Sequence, residues 1–546
     1  MKRLIVALLL CLLAAPAPTL ARGGGGNPVV EAPAGRLEGR MSGEVRVFKG
    51  IPYAQAPVGP LRWAPPKAAA SWEGVRQAAD FGPACWQAKG PPGGVYWAPP
   101  PPMSEDCLSL NVWTPKDAAK APVFVWIHGG AFSGGSSRES LYEGTKMASR
   151  GVVVVSINYR LGVLGFLAHP GLSAESPDGV SGNWGLLDQV EALRWVKRNI
   201  AAFGGDPDNV TIAGESAGGL SVAYLLAMPS ARGLFAKAIA QSAYTTSAAQ
   251  LKEAGNGTPS AEATGSALAA KLGAADLAAL RDMDAEKLTN ATALAYFPFP
   301  TVDGKVIPRQ LVDTFDRGEQ APVPLLAGFN SGEIRSLMIL APKVPLTAAA
   351  YEKGVRERYG DLADAFLKLY PSDNMGESVL AASRDGLYGW TAMRLAIKQT
   401  ALGQPAYLYI FDHGYDAADK AGLHAFHGSE LPYMFGNPYR TSPYWPAIPK
   451  TPGERAMADA MLDYWVSFAR NGAPKASGAP DWPAYDGAGY FMAFQDVPKV
   501  GANLLPGVYA LHEAVVCRRR AAGTQPWIWN VGLASPVIPP NAEGCN

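Results

Sequence analysis

Val210-Thr211-Ile212-Ala213 is an apolar run with β-branched residues, and it leads directly into Gly214-Glu215-Ser216-Ala217-Gly218-Gly219. Gly-x-Ser-x-Gly at the end of a strand reads as a sharp strand-to-helix turn. Gly214 and Gly218 have a steric task there, because two backbone segments meet and a Cβ on either would collide. Ser216 is left at strained φ/ψ with its hydroxyl exposed, which suits it as a nucleophile. The pentapeptide alone is a weak signal in a chain with 60 glycines among 546 residues. Its context carries the reading.

Hydrolysis through a serine needs backbone N–H groups aimed where negative charge develops on the carbonyl oxygen. Upstream, Pro122-Val123-Phe124-Val125-Trp126-Ile127 reads as a buried strand and runs into His128-Gly129-Gly130-Ala131-Phe132. A glycine loop in that position turns its amides toward a substrate, so Gly129, Gly130 and Ala217 are the expected oxyanion donors. A base is also required, and histidine suits the task with an unperturbed pKa of about 6.5. The chain has 6 histidines. His128 belongs to the glycine loop, His169 and His413 sit beside a proline and a glycine, and His512 lies in the C-terminal stretch. His424 and His427 follow the strand-like Tyr407-Leu408-Tyr409-Ile410-Phe411, where the order serine, acid, histidine places the base, and His427 is the candidate. The acid that orients the ring must fall between Ser216 and His427 at a strand end. Glu333, after Pro324-Leu325-Leu326-Ala327-Gly328-Phe329, meets that requirement.

Four further stretches extend the pattern. They are Phe203-Gly204-Gly205-Asp206-Pro207 ahead of the serine turn, Glu105-Asp106-Cys107-Leu108-Ser109-Leu110-Asn111-Val112-Trp113, Phe48-Lys49-Gly50-Ile51-Pro52-Tyr53-Ala54, and Gly182-Asn183-Trp184-Gly185-Leu186-Leu187-Asp188-Gln189. Over roughly residues 29 to 518 the chain thus resembles the type B carboxylesterases, the cholinesterase-like branch of the α/β-hydrolases. The resemblance implies an α/β-hydrolase fold, with a mostly parallel central sheet flanked by helices and helical cap insertions. It also implies hydrolysis of carboxylic esters without a cofactor. Carried onto matching positions, it implies Ser216 as nucleophile, Glu333 as acid, His427 as base, and Gly129, Gly130 and Ala217 as oxyanion donors. Two positions depart from the family pattern: Gly332-Glu333-Ile334 stands where Asp-Glu-Gly is usual, and Ser109 replaces an aromatic residue or threonine. By the same resemblance the loop from Cys85 to Cys107 borders the substrate. Trp97 occupies the place where cholinesterases set a tryptophan against a quaternary ammonium; a plain apolar rim is the alternative role. Trp97 and Glu215 are the expected substrate-contacting residues.

A net charge of +1, with 17% charged and 48% hydrophobic residues, supplies material for a large core and no electrostatic reason to bind nucleic acid or an anionic membrane. The expected partner is a small-molecule ester, and oligomeric state is not legible. Met1-Lys2-Arg3, an apolar run from Leu4 to about Ala15, and Thr19-Leu20-Ala21 read as a secretory signal peptide over residues 1–21. The run is shorter than the roughly 20 residues that span a bilayer. A secreted or periplasmic enzyme is therefore expected, with one catalytic domain over residues 22–546. Without Cys11, the remaining Cys85, Cys107, Cys517 and Cys545 allow three pairings. The resemblance implies Cys85 with Cys107, which leaves Cys517 and Cys545 to pin a Pro- and Trp-rich tail over residues 518–546. His424, His427 and Glu430 have a spacing that could face one side of a helix, but Gly428 and Pro432 oppose a helix there, and no metal is expected.

Strands are expected near residues 123–127, 152–157, 210–213, 237–241, 324–328 and 406–411, with a helix over residues 186–199 whose Leu187, Val190, Leu193 and Val196 share a face. The regions 243–322 and 335–400 carry an Ala-rich helical pattern and are expected to cap the site. A binding protein that keeps this fold without catalysis is the competing expectation. Such relatives lose the serine or its histidine, whereas Ser216 and His427 both persist here.

Overall fold

Val123, Val125 and Ile127 alternate with Phe124 and Trp126, yet all five are fully buried. Successive strand residues point to opposite faces, so a strand apolar at every position must be covered on both sides. That is the arrangement in the computed structural model, which describes residues 27–527 and 530–545. The expected signal peptide over residues 1–21 lies outside the described residues, as does Trp529 of the tail.

The main sheet has 11 strands. In chain order they are β1 (Arg40–Ser42), β2 (Val45–Pro52), β3 (Ser109–Pro115), β4 (Ala121–Ile127), β5 (Val153–Ile157), β6 (Gly205–Glu215), β7 (Lys237–Gln241), β8 (Leu325–Asn330), β9 (Ala406–Phe411), β10 (Tyr490–Phe494) and β11 (Pro498–Ala502). Across the sheet the order is β1-β2-β3-β5-β4-β6-β7-β8-β9-β10-β11. From β5 to β10 every neighbouring pair is parallel. The pairs β1–β2, β2–β3, β3–β5 and β10–β11 are antiparallel. This is an α/β-hydrolase fold. The chain leaves β4 toward β5 on one side and later returns as β6 on the other, so the strand order reverses beside β4. Open α/β sheets bind ligands outside the carboxyl ends of their strands at such a switch point.

Val125, Val155, Ile212, Ala240 and Leu408 face one side with helices α1 (Trp184–Asn199), α2 (Ala217–Ala227) and α3 (Trp390–Ala401). Phe124, Trp126, Ile239, Leu326 and Tyr409 face the other, against α4 (Pro452–Asn471). Helix α4 begins with a side-chain N-cap, in which the Thr451 hydroxyl accepts from the Glu454 amide and a proline fills the first turn. It stops at Gly472, which takes the left-handed conformation with φ 74°.

All six expected strands are present. The antiparallel strands at the sheet edges escaped the periodicity reading: β2 is interrupted by a register shift between Phe48 and Ile51, and β10 and β11 are half-exposed. The span 335–400 is expected to cap the site. Its last helix, α3, packs on β8 and β9 as part of the sheet's covering layer rather than over the site. Cys85 bonds to Cys107 and Cys517 to Cys545. Among the described residues no helix is long and apolar enough to cross a membrane.

Candidate active site

Ser216 directly follows β6 with φ 57° and ψ −123°, a conformation that L-residues avoid. What holds it there is close backbone contact. A Cβ on Gly218 would lie 2.1 Å from the Ile127 carbonyl oxygen, and one on Gly214 would lie 2.4 Å from the Gly218 carbonyl carbon. The end of β4 is thereby pressed against the serine turn, and the strain at Ser216 is over-determined by its surroundings. Ala217 opens α2, so its N–H belongs to a first turn that has no intrahelical acceptor.

The same contact brings in the glycine loop. A Cβ on Gly129 would stand 3.1 Å from Ser216 Cβ. Burial lowers the His128 pKa to about 4, so the ring is neutral, and its Nδ1–H donates to the Gly129 carbonyl at 2.8 Å. In a trans peptide the carbonyl and the following N–H point opposite ways. Anchoring the Gly129 oxygen therefore turns the Gly130 N–H away from the imidazole. His128 is itself stacked on Tyr159, whose hydroxyl donates to the His128 carbonyl at 2.8 Å.

Glu333 begins a short 3-10 turn just after β8. That turn is stitched to the loop carrying His427: the Gly332 N–H donates to the Ala425 carbonyl at 2.8 Å, and Asn330 Nδ2 donates to the Phe426 carbonyl at 2.8 Å. Glu333 is fully buried. Its Oε1 accepts from Ser242 Oγ at 2.7 Å and from the Asn330 amide at 2.8 Å, while its Oε2 accepts a short hydrogen bond from His427 Nδ1. With Nδ1 so engaged, Nε2 is the free face of the ring.

Nε2 lies 3.1 Å from Glu215 Oε1, out of line for a hydrogen bond. No hydrogen bond joins Ser216 Oγ to His427 among the described residues. Burial pushes the His427 pKa down, but the Glu215 and Glu333 carboxylates outweigh it, and the net shift is upward. Burial raises the Glu215 carboxyl, against the opposing pull of His427. Behind them Glu430, also raised by burial, accepts from Gln241 Nε2 at 2.9 Å and Asn330 Nδ2 at 2.6 Å.

Ser216, His427, Glu215, Gly129 and Gly130 all face one cavity of about 780 Å³. Tyr244, Phe297, Leu340 and Tyr388 add apolar and aromatic walls. Trp97 is not brought there. Its indole donates to the Gly90 carbonyl at 3.2 Å and packs edge-on against Tyr444, with ring centroids 5.7 Å apart. The neighbouring Tyr96 lines the cavity instead, because adjacent residues point different ways and only the phenol finds partners inward. His424 turns to Asp412 and Asp419, away from His427 and Glu430. The roles of His128, Ser242, Tyr96 and Tyr388 escaped sequence reasoning. Only His128 carried a local signal, its place at the head of the glycine loop.

A model of the carboxylesterase family matches residues 26–505. The chain belongs to the carboxylesterase family. Among curated relatives of this carboxylesterase, fumonisin B1 esterase of Sphingopyxis macrogoltabida is 38% identical over 84% of the chain and 85% of its own length. Para-nitrobenzyl esterase of Bacillus subtilis (strain 168) is 36% identical over 84% of the chain and 93% of its own length. Human cocaine esterase is 34% identical over 84% and 85%. A solved structure of PNB esterase superposes with a TM-score of 0.74 at 33% identity, covering 88% of this chain and 98% of that one. This carboxylesterase is accordingly a carboxylic-ester hydrolase.

Proposed function

We propose that the ester bond is cut through a Ser216–His427–Glu333 triad and an acyl-enzyme, with the Gly129, Gly130 and Ala217 amides as oxyanion donors. The observation that supports this best is the His427 ring, held through Nδ1 by a buried carboxylate with Nε2 turned to the cavity that Ser216 enters. Ser216 Oγ attacks the carbonyl carbon as Nε2 takes its proton, and the amides hold the oxyanion. Collapse expels the alcohol, which receives that proton from the imidazolium; water, activated by the neutral ring, then releases the acid. Glu333 stabilises the imidazolium in both halves. Contact between Ser216 Oγ and Nε2 forms as substrate fills the cavity, since such bonds commonly tighten only in the bound complex. Glu215 contacts the substrate beside the nucleophile. The segments 243–322 and 335–389 cap the site; they supply Tyr244, Phe297, Leu340 and Tyr388 to its walls.

We also read the enzyme as exported. Two disulfides belong to an oxidising compartment, and the N-terminal run has the signal-peptide pattern.

The test is covalent labelling by a fluorophosphonate together with turnover of a short-chain nitrophenyl ester. Labelling of Ser216 is expected. Ser216→Ala and His427→Ala should abolish turnover with the fold intact, and Glu333→Gln should lower kcat by about 10³–10⁴-fold through the wrong ring tautomer. Near-normal rates in the first two variants would refute the triad.

A further inference from the structure

Tyr96 lies on the loop closed by Cys85 and Cys107, more than three hundred residues away from His427 in sequence, yet the two meet. The Tyr96 hydroxyl donates to the His427 backbone carbonyl at 2.7 Å and lies 2.6 Å from Ser336 Oγ. A carbonyl can only accept, so the single phenolic hydrogen is committed to His427. The bond to Ser336 must then run the other way, with Ser336 Oγ–H donating to Tyr96 Oη. Ser336 closes the 3-10 turn that Glu333 opens. One phenol thus ties the turn carrying the acid to the residue carrying the base, and the serine polarises the phenol it donates to.

The carbonyl in question has no substitute partner. Among the described residues no other donor reaches the His427 oxygen, and His427 is buried. The Tyr96 ring is seated by aromatic contacts, with centroids 6.3 Å from Trp445 and 6.4 Å from Phe426, the residue just before the base. Gly428, just after it, has φ 74°, so the backbone on that side gives little stiffness of its own.

We propose that Tyr96 is a positioning residue for the base: through Ser336 and the His427 carbonyl it holds the imidazole in register with Glu333 while its ring forms part of the substrate wall. This rests on the triad reading above. A misplacement of about 1 Å in a catalytic group can cost around a hundredfold in rate. Releasing one tether on a ring still held by Glu333 is therefore expected to cost less, about tenfold.

The experiment is a double-mutant cycle of Tyr96→Phe and Ser336→Ala on nitrophenyl ester turnover, with thermal unfolding alongside. Tyr96→Phe keeps the ring and its packing and removes only the hydroxyl. It should lower kcat by about tenfold and change KM by less than about twofold, because the substrate wall is retained. Ser336→Ala should have a smaller effect, and the double variant should be no slower than Tyr96→Phe, since Ser336 acts through the phenol. Wild-type kcat in Tyr96→Phe, strictly additive effects, or a fall in melting temperature with kcat unchanged would each overturn the proposal. Those outcomes with His427→Ala inactive would leave the triad standing; an active His427→Ala would sink both.

Discussion

At the scale of the residue, the proposed acid–base chemistry turns on three buried carboxyls around one imidazole. Glu333 is saturated with donors and orients His427, whereas Glu215 faces Nε2 without directed bonding. Both carboxylates favour the charged ring, and only the neutral ring can act as base. With His427 as the proposed base, activity should rise with pH as the ring deprotonates, with the acidic limb of kcat/KM above the usual imidazole value of about 6.5. Glu215→Gln removes one of the two carboxylates that raise the ring, so that limb should move down in pH, toward the ordinary value. A pH–rate profile of the two proteins on one nitrophenyl ester checks this. A limb at the same pH in both would show that Glu215 does not charge the ring.

At the scale of the element, the site depends on how two strand ends touch. The β4 carbonyl at Ile127 occupies the space where a side chain on Gly218 would begin. The clash is with backbone on both sides, so no rotamer change relieves it. Gly218→Ala should therefore separate the serine turn from the glycine loop and destabilise the protein by several kcal/mol, roughly the range of severe core disruptions. Chemical denaturation measures it directly, and a midpoint within error of wild type would contradict the close packing. The steric demand at Gly218 was legible because strand, glycines and serine are contiguous. Strands β2, β10 and β11 were not: a register shift breaks the pairing of β2 with β3, which lies far along the chain, and partial exposure of the β10–β11 hairpin breaks its apolar pattern.

At the scale of the whole molecule, the C-terminal tail lies beyond the family match and still reaches the site. Gly532 N–H donates to Tyr359 Oη at 2.8 Å, Ile538 N–H to the Arg358 carbonyl at 2.7 Å, and Ala534 lines the cavity. Helix α5 (Val508–Ala522) is joined to the tail end by Cys517 and Cys545, 28 residues apart. Replacing both cysteines with serine should cost about 3.6 kcal/mol by the loop-entropy model, seen as a lower melting temperature. Turnover at 25 °C should persist, because among the described residues no hydrogen bond or ion pair joins the proposed triad residues to the tail. Loss of activity without loss of stability would show instead that the tail shapes the cavity through that bond.

The residue types of the site and the turn that displays Ser216 were determined by the sequence itself, because sterics between neighbours in the chain dictate them. Candidate residues 216, 333 and 427 could be named from strand ends and histidine scarcity. Their meeting could not: Glu333 and His427 are joined across 94 residues by bonds from Asn330 and Gly332 that no local pattern encodes. Tertiary structure alone also decided that Tyr96 rather than Trp97 faces the cavity. Which of two adjacent aromatic side chains turns inward depends on the partners waiting there, and those partners come from the other end of the chain.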